Sequence, residues 1–113
     1  MKSSDAYLRF LALAHAVDVN FGGEVDLVAQ RLLEVLSVSA ARGAPLTVSQ
    51  AMELKSIASP ATVHRKLRAL IDRELIVHTF EGKNRRTRYL VPTKNAEKHF
   101  ELMGALLESL IPV

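Results

Sequence analysis

The chain contains no cysteine. That excludes a disulfide framework, a thiolate zinc site and a thiol-based redox sensor. Catalytic signatures are missing as well. There is no Gly-x-Ser-x-Gly elbow, no phosphate-binding glycine loop and no paired acid–histidine constellation. The acids scatter over helix starts and solvent faces, so an enzyme is not expected and no cofactor is implied. His15, His64, His78 and His99 make no metal pattern, because no two stand four apart on one helix and no cysteine assists. No hydrophobic run is long enough to span a bilayer. The segment YLRFLALAHA could pass for a signal peptide cut at Ala14-His15-Ala16. Arg9 interrupts its apolar run, however, and Asp5 lies where a leader would be basic, so an amphipathic helix is the better reading. A cytoplasmic protein with no membrane partner is expected. Internal repeats and low-complexity segments are also absent.

What is present fits one soluble domain over residues 1–113, with 49% hydrophobic and 24% charged residues and one modest core. The net charge of +3 is unevenly placed. Residues 1–45 carry four Lys/Arg against five Asp/Glu, residues 46–92 nine against four, and residues 93–113 two against three. All the excess positive charge therefore sits in the middle block, the pattern of a polyanion-binding face between segments with another task.

Punctuation falls at Gly22-Gly23, at Arg42-Gly43-Ala44-Pro45, at Glu81-Gly82-Lys83-Asn84 and at Pro92. A first helix is expected from about Ser4 to Val17, with Leu8, Leu11, Ala12 and His15 on one stripe and Ser3 or Ser4 as N-cap. A second is expected from about Glu24 to Ala41. Its apolar residues (Val25, Leu27, Val28, Leu32, Leu33, Val35, Leu36) cover more than one face, as in a helix buried between partners. Thr47-Val48-Ser49-Gln50 forms a capping box that opens a short helix ending near Leu54 or Lys55. After a turn of about four residues, Ser59-Pro60 starts another helix, serine as N-cap and proline at the first helical position. Val63, Leu67, Leu70 and Ile71 give it one apolar face. Thr62, Arg65, Lys66, Arg68, Ala69 and Asp72 lie opposite, with His64 at the margin.

This pair of helices has a helix-turn-helix signature. Ile76–Phe80 and Thr87–Val91 then read as a hairpin around the basic tip 81–86. Thr93 caps a final helix to about Leu110, with Ala96, Phe100, Met103, Leu107 and Leu110 spaced by three and four. The expected fold class is mainly α with a small β-hairpin.

The stretch Leu46–Thr93 resembles the DNA-binding domain of MarR-type winged helix-turn-helix regulators. The likeness rests on LTVSQAMEL, SPATVHRKLRALIDRELIV and NRRTRYLVPTKNA. In this chain Asn84 stands for the usual wing aspartate, and Glu74 for the glycine that normally ends the recognition helix. The resemblance implies residues 46–92 as helix-turn-helix and wing, with residues 1–42 and 93–113 as dimerisation helices. It also implies a homodimeric regulator of double-stranded DNA, with a repressor the simplest case and a small-molecule effector conceivable but unidentified.

On that reading Ser59, Pro60, Ala61, Thr62, His64, Arg65 and Arg68 face the major groove, where arginine can bond guanine O6 and N7. Lys83, Asn84, Arg85, Arg86 and Arg88 belong to the wing, which meets phosphate or the minor groove. One wing arginine, Arg86 first, can instead brace the hairpin internally. Leu8, Leu11, His15, Phe100, Met103, Leu107 and Leu110 are expected at the dimer interface, with Leu106 and Ile111 adding apolar surface. The bland alternative for the cations is a solvated helix face and a solubilising hairpin. The competing function classes are a winged-helix protein-interaction module and a plasmid or phage replication or partition factor.

Overall fold

The computed structural model describes residues 2–21 and 25–110. Gly22, Gly23 and Glu24, read as a break and a helix start, lie outside the described residues, as does Ile111. In chain order the elements are α1 (Ser3–Phe21), α2 (Leu27–Ala41), β1 (Leu46–Thr47), α3 (Val48–Met52), α4 (Pro60–Asp72), β2 (Ile76–Glu81), β3 (Asn84–Pro92) and α5 (Lys94–Ser109). The strands form one antiparallel sheet in the order β1-β3-β2. The fold is thus mainly α with a small sheet, as expected. No helix among the described residues is long and apolar enough to cross a membrane.

Two compact units result, one spanning residues 25–96 and the other holding α1 with α5 from residue 97 onward. In the first unit α2 is the central beam, packed against α4 and β3. Asp26 caps it: its side chain accepts from the Ala29 N–H at 2.8 Å, where a first-turn donor has no helical partner. Ala29, Leu32, Leu33 and Leu36 are buried at spacings of three and four. Leu27 and Val38 stay 77% and 50% exposed, so one stripe carries the packing. In the second unit α1 runs beyond Val17 because no glycine or proline stops it before Gly22.

Two helices end in the same hydrogen-bond pattern with different residues. After α2, Gly43 N–H donates to Ala40 and Ala44 N–H to Ser39, with Gly43 at φ +79°. After α4, Glu74 N–H donates to Ile71 and Leu75 N–H to Leu70, with Glu74 at φ 59°. Both are Schellman motifs, which place one residue in the left-handed region. Glycine adopts it freely, whereas a side chain there costs about 1–2 kcal/mol. The turn at Glu74 persists because Leu75 and Leu70, at 5% and 1% exposure, join the core on either side of it. Thr93 reinforces it, the hydroxyl donating to the Glu74 carbonyl and the N–H to Leu75.

We expect Glu74→Gly to raise stability by about 1 kcal/mol, or ~4–8 °C in Tm for a unit of this size. Thermal denaturation followed by circular dichroism measures it. An unchanged or lower Tm would show that the left-handed turn carries no strain.

Candidate nucleic-acid interface

The helix-turn-helix is built from its caps outward. Thr47 Oγ1 accepts from the Gln50 N–H at 3.2 Å and Gln50 Oε1 accepts from the Thr47 N–H at 2.9 Å, completing the capping box. The helix it opens ends earlier than expected, at Met52, so residues 53–59 form a longer coiled connection to α4. Ser59 then caps α4, its hydroxyl accepting from the Thr62 N–H at 3.4 Å, with Pro60 at the first helical position. The same hydroxyl lies 3.1 Å from Thr62 Oγ1.

Val63, Leu67 and Leu70 are 0%, 3% and 1% exposed, so this edge of α4 is sealed into the core. Ile71 is half-buried. The opposite side is open: Ser59, Pro60, Ala61, His64, Arg65 and Arg68 are all exposed, and Thr62 is half-exposed. Lys66 departs from the expected outer face. It is half-buried, and its ammonium is joined to the Asp26 carboxylate at the N-cap of α2. The Lys66 bond, then the Ala29 N–H, hold the Asp26 carboxyl below its ordinary value, so the pair is intact across the neutral range.

The hairpin is tighter at its turn and more irregular beyond it than its sequence suggests. Strands β2 and β3 reach Glu81 and Asn84, leaving Gly82 and Lys83 as a two-residue turn. Gly82 has φ +56° and Lys83 has no positive φ, as in a type II′ hairpin turn. Glu81 pairs with Asn84 and Phe80 with Arg88, so Arg85, Arg86 and Thr87 bulge out of the ladder. Asn84 Oδ1 accepts from the Arg86 N–H at 2.9 Å and braces this bulge. The Arg85 guanidinium lies 5.0 Å from the centre of the Phe80 ring. Arg85 is therefore the arginine packed within the wing, in place of Arg86. Lys83, Asn84, Arg85, Arg86 and Arg88 are all exposed.

His78 faces the core side of the sheet opposite Leu90, and its Nδ1 is buried without a hydrogen-bond partner. Burial first, and the nearby charge of Arg88 second, push its pKa down, which keeps the ring neutral at pH 7. Strand β1 was not anticipated. Leu46 and Thr47 pair with Leu90 and Tyr89, tying the start of α3 to the wing. No group of three or more metal-ligating side chains occurs among the described residues.

The residues expected at a dimer interface lie on α1, on α5 and just past its end. On α1, Leu8 and Leu11 are 62% and 42% exposed, and His15 is exposed. On α5, Leu107 is 49% exposed and Phe100 and Met103 are half-buried; Leu110, just past its end, is half-buried too. Tyr7 and Leu102, not singled out from the sequence, are exposed as well.

No family model and no curated protein matches the chain. Solved structures do. The transcriptional regulator Tm0710 from Thermotoga maritima aligns with a TM-score of 0.66 at 17% identity, over 94% of this chain and 70% of that one. A MarR-like transcriptional regulator of the same organism, Tm0816, gives 0.63 at 17%, over 97% and 78%. A MepR variant from Staphylococcus aureus bound to an oligodeoxyribonucleotide gives 0.56 at 16%, over 97% and 80%. The chain has the winged helix-turn-helix fold of MarR-type regulators.

The cation–π contact in the wing can be measured directly. A double-mutant cycle of Phe80→Leu and Arg85→Ala in chemical denaturation should give a coupling of about 0.5–1 kcal/mol. A coupling indistinguishable from zero would mean that Arg85 is not held by the ring.

Proposed function

We propose that this chain is a sequence-specific double-stranded DNA-binding transcription regulator that acts as a homodimer in the cytoplasm. The observation that carries the reading is the division of α4 into two sides. Val63, Leu67 and Leu70 are buried, while Arg65 and Arg68 stand exposed with no protein partner among the described residues. A helix so docked can enter a major groove with its N-terminal half, Ser59 to Arg65, against base edges and Arg68 further along. The wing supplies a second cationic element, and the bulge carries Arg86 outward, suited to a narrow minor groove or to phosphate. Lys83 and Arg88 add backbone contacts.

Dimerisation is supported by the apolar side chains left open on α1 and α5. With two copies related by a twofold axis, the recognition helices would meet successive major grooves. Repression by promoter occupancy is the simplest action for such a chain. The MarR-type fold and a similar structure bound to an oligodeoxyribonucleotide support the DNA partner.

Substituting Arg65→Ala and Arg68→Ala, singly, tests base reading. Each should cost about 1–3 kcal/mol in affinity for a selected duplex and relax preference at one base position. Fluorescence anisotropy on matched and mismatched duplexes reads both quantities. Full retention of affinity and preference by both variants would remove α4 as the reading element.

A further inference from the structure

Lys66 occupies an unusual place for a cation on a DNA-reading helix. It lies one turn after Thr62, on the same flank of α4 and between Arg65 and Arg68 in sequence. A free ammonium there would contact phosphate, which adds affinity without regard to sequence. Its side chain is only 24% exposed, and its charge is met by Asp26, forty positions away in the chain.

The carboxylate is 49% exposed but is held by two bonds. One oxygen accepts the Ala29 N–H at 2.8 Å as the N-cap of α2, and the other takes Lys66. Two bonds to different elements hold it in place, while the packing of α2 on α4 keeps the helices in register. Asp26 therefore ties the flank of α4 to the central beam and removes one positive charge from the surface next to the bases.

We propose that Asp26 is a positioning residue that sets DNA specificity, holding Lys66 on α2 so that it does not grip phosphate beside the reading helix. This rests on the regulator reading above. Asp26 lowers indiscriminate affinity and thereby raises the ratio of specific to non-specific binding. Arg65 and Arg68 are left as the sequence-reading cations of the outer face.

Asp26→Asn separates this role from a structural one. Asparagine is as good an N-cap as aspartate, so the α2 cap is retained while the charge is lost. Duplex binding by the full chain, with a selected site and a random-sequence duplex, is measured across a salt series. For Asp26→Asn, affinity for the random duplex should rise roughly 3- to 10-fold at about 0.1 M salt. The slope of log affinity against log salt should steepen by about one per subunit. The selected-to-random ratio should fall by a similar factor. Adding Lys66→Met should return the slope to that of the unsubstituted protein, and Lys66→Met alone should leave it unchanged.

An Asp26→Asn protein with unaltered slope and ratio would overturn the proposal. So would an equal loss on both duplexes, which is the signature of a merely structural pair. If the unsubstituted protein bound no duplex at all, the regulator reading would fail and take this proposal with it.

Discussion

The structure depends on one hydrophobic contact, the docking of α4 by Val63, Leu67 and Leu70 where α2 buries Leu32, Leu33 and Leu36. Burying one such side chain contributes about 1.5–3 kcal/mol. Rolling α4 by half a turn would expose all three and drive arginines into an apolar interior, where unpaired charge is far more costly. The outward aim of Arg65 and Arg68 is thus a consequence of core packing. A surface ion pair such as Asp26–Lys66, worth roughly 0–1 kcal/mol, cannot decide which side faces out. It can hold a flank in place and cancel a charge while adding little to stability.

The wing follows a similar division between packing and display. Ile76 and Leu90, at 1% and 0% exposure, anchor the base of the hairpin in the same core. Further out the ladder is interrupted by the bulge at Arg85–Thr87, and small local contacts take over: the Asn84 amide on the Arg86 N–H and the Arg85 guanidinium over Phe80. A bulge re-aims side chains that a regular strand would place on alternating faces. The cationic tip is built by those local bonds on a rigid base.

Much of this was legible in the sequence, for physical reasons that differ by element. The capping box at Thr47–Gln50, the Ser59-Pro60 start and the apolar edge of α4 are local patterns with a period, and all three appear as expected. The exposed Arg65 and Arg68 follow from that period alone. The two-residue strand β1 was not legible, because two residues carry no alternation and their pairing is decided by β3. The bulge escaped because register near a turn depends on single side-chain bonds. Asp26 and Lys66 could not be paired from sequence, since only the packing of α2 on α4 brings them together. Glu74 was visible as a misplaced residue, and the positive φ there shows what the usual glycine would relieve.

Selection of bound sequences from a random duplex pool asks whether the outward side of α4 reads bases in a twofold arrangement. An inverted repeat whose half-sites lie about 10–10.5 base pairs apart, centre to centre, should be enriched. A pool that emerges with no enriched sequence would contradict base reading by α4.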